Sequence, residues 1–194
     1  MDETEQALRE EIAQLKTLLE IGRIINSSLD LDQVLHIIVN SAAKLLDCED
    51  CSITLADREN GQLRLVTSAK LLKEQIGPIA IPLQGSIAGW AVLHDEPVSV
   101  QDPQNDPRFF DQIDRISGNT TYSLLAVPMH FKEHVIGVIE AINKQSGSFT
   151  AADVEQLSIL SAQAAVAIEN ARLICELKKT SRKLDALNHQ SPSS

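Results

Sequence analysis

The sequence contains no apolar run approaching the ~18 residues needed to cross a bilayer, so no transmembrane helix is expected. Its N-terminus, MDETEQALREE, is acidic and lacks the apolar core of a secretory signal, which makes the cytoplasm the expected compartment. Basic residues are scarce. The net charge of -10 disfavours a surface built to neutralise phosphates, and the one basic cluster, Lys178 to Lys183, reads as a solvated helix face rather than a nucleic-acid or membrane contact. Cysteine is also sparse: Cys48, Cys51 and Cys175 are too few and too irregular for a disulfide framework. Cys48 and Cys51 form a CxxC, but no second pair or paired histidines complete a zinc site, so both read as small apolar residues at a helix-to-strand junction. No Ser-His-Asp spacing is evident, and His36, His94, His130 and His134 read as surface or boundary residues. No enzyme, metal or required cofactor is expected.

What is present is one domain's worth of periodic structure. Leu8, Ile12, Leu15 and Leu19 follow a 4-3-4 spacing that predicts a short coiled-coil seam. A second helix follows over VLHIIVNSAAKLLD, with Leu35, Ile38, Val39, Ala42, Leu45 and Leu46 inward and Ser28 or Asp30 as a cap. The period then changes to two. CSITLAD and QLRLVTS alternate and are joined by RENG, whose Asn60 and Gly61 suit a tight hairpin turn. PIAIPL is a third strand, and GSIAGWAVLHDE a helix starting near Gly85 or Ser86. PVSVQD is a short strand before a proline-containing loop, and FFDQIDRI a short helix. TYSLLAVPMHF and HVIGVIEAINK form a last hairpin turning at Lys132 and Glu133. The final helix starts after Phe149 with Thr150 as N-cap, Asp153 in its first turn, and Leu157, Leu160, Ala164, Ala167 and Ala171 inward. A second seam, Leu173, Leu177, Leu184 and Leu187, continues from it.

This order predicts an α+β fold with a six-stranded, mostly antiparallel sheet. The motifs CSITLAD, IPLQGSIAGWAV, EPVSVQDPQNDPRF, SLLAVPM and VIGVIEAINK followed by FTAAD, in that order, resemble a GAF domain across about Leu19 to Leu173. The resemblance implies terminal helices on one face of the sheet and a ligand pocket on the other. It divides the chain into a coiled-coil-like helix (1–26), the GAF domain (27–172), a signalling helix (173–188) and a disordered tail (189–194).

Within the family the match looks closest to the regulatory domains of cyclic-nucleotide phosphodiesterases and bacterial adenylate cyclases. Those carry Asn-Lys, Phe and Asp-Glu; here stand Asn143, Lys144, Phe149 and Asp153, with Val154 interrupting the acid pair before Glu155. Position by position, the resemblance implies a ligand site at Ser52, Thr67, Ile87, Ala88, Phe110, Asp114, Thr121 and Glu140. Val66 and Thr67 stand where the cyclic-nucleotide binders have Phe-Asp, which removes an aromatic platform and a purine-reading acid. Cyclic AMP or cyclic GMP, or another small metabolite or ion, is the implied ligand, bound by a homodimer that relays to an effector domain or protein outside this chain. A relay module without a ligand is the alternative, and a haem sensor using His94 or His130 is a further one. A methionine sulfoxide reductase, the enzymatic branch of the family, would need a pocket cysteine, and Gly85 to Thr121 contains none. Lys144, Phe149 and Asp153 are expected to clamp the last helix to the sheet instead of touching the ligand.

Overall fold

A computed structural model describes residues 31–57, 60–71 and 79–188, with the side chains of 179 and 183–188 left undescribed. The first seam, the caps Ser28 and Asp30 and the tail lie outside the described residues. Helix α1 (Leu31–Leu45) is amphipathic and buries Val34, Leu35, Ile38, Val39 and Ala42. Strands β1 (Cys48–Asp57) and β2 (Gln62–Ser68) form the first hairpin, with Gly61 at φ 62° in its turn. Strand β3 (Ala80–Pro82), helix α2 (Ile87–His94) and strand β4 (Val98–Val100) follow. A 3-10 turn, Pro103–Asn105, and helix α3 (Gln112–Ser117) lead into β5 (Leu124–Phe131) and β6 (His134–Lys144). Helix α4 (Ala151–Asn188) runs unbroken for 38 residues.

The six strands form one antiparallel sheet in the order β3-β2-β1-β6-β5-β4. One face carries Cys51, Ile53, Leu125, Val127 and Ile139 and is covered by α1 and α4, which contribute Ile38, Leu157 and Leu160 to the larger core. The other face carries Leu63, Leu65, Leu124, Ala126 and Val138 beneath α2, with Ile87, Ala88 and Ala91 packed on them. Because a strand's side chains alternate, nearly every residue of the central strands is buried on one face or the other.

Two bulges reset that alternation. Ser52 and Ile53 pair with Ser68 and Thr67, but Thr54 pairs with Leu65, so Val66 is an extra residue in β2. Likewise Met129 pairs with Gly137 and His130 with Val135, leaving Ile136 extra in β6. Val66 and Ile136 both turn toward the helical layer.

Helix α4 joins the sheet through a reciprocal cap. The Thr150 N–H donates to Asp153 Oδ2 at 2.7 Å while the Asp153 N–H donates to Thr150 Oγ1 at 3.3 Å. Asp153 Oδ1 also accepts from Lys144 Nζ at 2.8 Å, and the same ammonium donates to the Leu46 carbonyl at 2.6 Å. Burial alone would raise the Asp153 pKa, but the bonds from Lys144 and Thr150 outweigh it and hold the carboxyl below its usual range. Phe149 is buried under this junction, its ring 5.9 Å from the ammonium. Val154 packs against the core and Glu155 points outward, so the interrupted acid pair faces two environments.

Candidate functional site

Between the sheet and helices α2 and α3 lies a cavity of about 50 Å³. Its floor follows from cross-strand register. Ser68, Ser52, Glu140 and Ala126 are successive partners across β2, β1, β6 and β5. Three of the four are small, so open space remains above the sheet beside the Glu140 carboxyl. In the next row Asp50 pairs with Ile142, which pairs with Leu124, and all three line the same space.

Glu140 is 6% exposed and, among the described residues, its carboxyl makes no hydrogen bond. Burial, and secondarily the nearby Asp50 charge, push its pKa up to about 7. Asp50 is held differently. Its Oδ1 accepts from the Cys51, Ala69 and Lys70 N–H groups at 2.8 to 3.1 Å, and both of its oxygens accept from Ser68 Oγ. Its pKa is nonetheless raised, because burial outweighs those bonds. Ser68 Oγ in turn accepts from the Lys70 and Leu71 N–H groups, which folds the exit of β2 over the cavity edge.

The N-terminus of α2 forms one wall. Ser86 caps it by accepting from the Gly89 N–H at 2.9 Å, and Ile87 and Ala88 face the cavity. Gly89 is fixed by close approach, since a Cβ there would lie 2.1 Å from the Leu83 carbonyl oxygen. The opposite wall is α3 with the loops around it. Asp114 accepts from the Thr121 N–H at 2.8 Å and the Thr121 hydroxyl at 2.7 Å, and Gln104 Nε2 donates to both Asp114 and the Thr121 carbonyl. Asn143, at φ 61°, ties the following loop to β6: its Oδ1 accepts from the Tyr122 N–H at 2.8 Å, and its Nδ2 donates to the Thr120 carbonyl. Phe109, Phe110 and Ile113 supply apolar contact.

Seven of the eight positions singled out from sequence line this cavity: Ser52, Ile87, Ala88, Phe110, Asp114, Thr121 and Glu140. Thr67 does not. Strict alternation would put it on the face of Leu63 and Leu65, but the Val66 bulge turns it over, and it pairs with Ile53 on the helical side. Asp50, Ser68, Ser86 and Phe109 were not foreseen. Asp50 was legible, lying two residues from Ser52 in one strand and hence on its face. Lys144, Phe149 and Asp153 lie where β6 passes into α4, apart from the cavity.

No described histidine or cysteine lines the cavity. His94 instead stacks on Trp90 with ring centroids 4.2 Å apart, and His130 bonds Asp95. Cys48 and Cys51 face the opposite core, where burial pushes the Cys48 thiol up to about 11 and that of Cys51 well above its ordinary value.

The GAF domain family model matches residues 30–168. This chain belongs to the GAF family. Domains of this family are known in phosphodiesterases as regulatory domains that sense small molecules. The GAF chain is 27% identical over 192 residues to a probable 3',5'-cyclic phosphodiesterase of Caenorhabditis elegans, covering 92% of this chain and 26% of the relative. It is 30% identical over 172 residues to dual 3',5'-cyclic-AMP and -GMP phosphodiesterase 11A of Takifugu rubripes, covering 83% of this chain and 19% of the relative. The chain thus spans about a quarter or less of those relatives' lengths. Among solved structures, the GAF domain of an Acinetobacter phosphoenolpyruvate-protein phosphotransferase is 30% identical with a TM-score of 0.72, covering 84% of this chain and 98% of that one. Among the described residues, no helix is long and apolar enough to cross a membrane.

Proposed function

We propose that this GAF domain senses a small molecule in the cavity over Glu140 and relays occupancy through α4. The observation that carries the reading is the buried carboxyl in the centre of the sheet. Ionising such a group away from water is costly, and a domain serving stability alone is better supplied by an apolar side chain there. A functional site tolerates that cost because a ligand can satisfy the acid.

A cyclic nucleotide is the ligand suggested by the phosphodiesterase relatives, each described as acting on cyclic nucleotides. One water needs roughly 10–15 Å³ of such space, so the cavity holds a few waters and not a nucleotide. Binding of that size requires α3 to lift, with the Asp114 to Thr121 bonds breaking. The proposal includes a cytoplasmic setting and no nucleic-acid or membrane partner, in keeping with the net charge of -10.

The output side is proposed to be a homodimer. Ile159, Val166, Leu173 and Leu177 of α4 are 40% to 70% exposed and recur at sevens and a four, the spacing of a seam awaiting a second helix. An effector domain or protein would read the packing of that seam. Native mass spectrometry for a co-purifying molecule, followed by calorimetric titration with cyclic AMP and cyclic GMP, tests the reading. Micromolar binding lost in Thr121→Ala supports a cyclic nucleotide, and silence with both removes it.

A further inference from the structure

The cavity's charge is one-sided. Asp50, Glu140 and Asp114 line it, and no described lining residue is lysine, arginine or histidine. Asp114 has both oxygens committed to Thr121, with Gln104 adding a further bond. Asp50 Oδ1 accepts three backbone N–H groups, whereas among the described residues its Oδ2 accepts only from Ser68. Among the described residues both Glu140 oxygens remain open, on a buried residue, 6% exposed, placed in the cavity floor. The open capacity is therefore acceptor capacity. Among the described residues its counterweights are the N-terminus of α2, equivalent to roughly half a positive charge, and Lys70 at the adjoining mouth, which is paired with Glu49.

We propose that the cavity takes a compact organic cation with N–H donors, an amidinium or primary ammonium, which donates to Glu140 and Asp50 while its carbon portion rests against Phe109 and Phe110. This deepens the ligand-site reading above and rests on it. An ion placed there pairs with a carboxylate that burial otherwise keeps protonated, and aromatic faces add cation–π attraction. Few heavy atoms fit in about 50 Å³, which favours a small head group over a phosphate ester. The groups facing Glu140 are Asp50 from β1 and Asp114 from α3, with Glu49 and Lys70 at the adjoining mouth and Cys51 behind the sheet. All the near ones favour a cation. Since Glu140 must lose its proton to pair, affinity falls about tenfold per pH unit below its pKa, the proton passing to buffer on binding.

The test is thermal melting and calorimetry of the full chain with acetamidinium chloride. Tetramethylammonium chloride and potassium chloride serve as equal-ionic-strength controls, at about pH 8 and about pH 6. The expected result is a saturable rise in melting temperature with acetamidinium alone, close to tenfold weaker at the lower pH and lost in Glu140→Gln. An equal response to tetramethylammonium or potassium overturns the proposal, as does an undiminished response in Glu140→Gln. The wild-type comparison among the three salts stands even if the variant misfolds. Cyclic AMP run in parallel separates the two readings. If it binds and acetamidinium does not, the cation is wrong and the ligand site stands; if neither binds and nothing co-purifies, both fail.

Discussion

Lys144 and Asp153, nine residues apart in the chain, meet at 2.8 Å and join the last residue of β6 to the first turn of α4. Their side chains are 12% and 8% exposed, so each charge depends on the other for compensation. Lys144→Ala strands the Asp153 carboxylate and the Leu46 carbonyl, and should cost about 3 kcal/mol. Calorimetric melting should show the loss, and a double-mutant cycle with Asp153→Asn should recover part of it. The folded pKa of Asp153 is depressed, so its contribution is present above the ordinary carboxylate range and fades as the pH falls through the lowered value.

Glu140 has the opposite sign. Its folded pKa of about 7 lies above the unfolded value, so the folded state is favoured at low pH and penalised as the pH rises through 7. Glu140→Gln should therefore flatten the pH dependence of stability between about pH 4.5 and 7, and raise stability above that window by about 3 kcal/mol. Urea unfolding at several pH values measures this, and an unchanged slope would refute the raised pKa.

Gly89→Ala should destabilise by at least about 2 kcal/mol, because the added methyl meets the Leu83 backbone and no side-chain rotation relieves it. Gly85→Ala is strained for a different reason: its φ of 85° suits glycine, although space is open around it. Melting of the two variants separates steric from conformational cost. Damage to the α2 wall, read as faster amide exchange over Ile87 to Trp90, should accompany the first.

Asp114→Ala should loosen one wall selectively. It removes the acceptor for two Thr121 bonds and one from Gln104 while leaving the main core intact. Hydrogen exchange over α3 and residues 119–123 should accelerate by tenfold or more, with a global stability loss of only about 1 to 2 kcal/mol.

The exposed stripe on α4 predicts association. Light scattering should show a dimer, and Leu173→Glu with Leu177→Glu should yield a monomer with unchanged helix content near the sheet. A monomeric wild-type chain at micromolar concentration would refute the dimer.

Much of this architecture was legible in residue order. The switch from helical to alternating spacing located the strands, and Thr150 with Asp153 marked the start of α4 to the residue. Turn residues such as Gly61 and Lys132, both at positive φ, marked the hairpins. The cavity was legible through family resemblance and much less through pattern, since Glu140 within VIGVIEAINK carries no local sign of its surroundings. Its isolation comes from Ser52 and Ala126, its partners in register on either side. Thr67 falls on the other face because a bulge is a property of pairing between two strands, and the adjacent apolar pair Leu65 and Val66 in LRLVTS is the one local trace of it. The 3-10 turn at Pro103–Asn105 reads as loop in the sequence, its proline-containing composition giving no period to detect.

The 38 residues of α4 have one further consequence. Leu157, Leu160, Ala164 and Ile168 hold its first half against the sheet, so at 1.5 Å per residue the part beyond Ile168 is a lever of about 30 Å with its fulcrum at the sheet edge. A tilt of about 10° at that pivot displaces the far end by roughly 5 Å, a distance comparable to one helical turn. In the proposed dimer, a modest shift where the helix leaves the sheet would become, at the outer end, large enough to change which residues of two neighbouring helices meet.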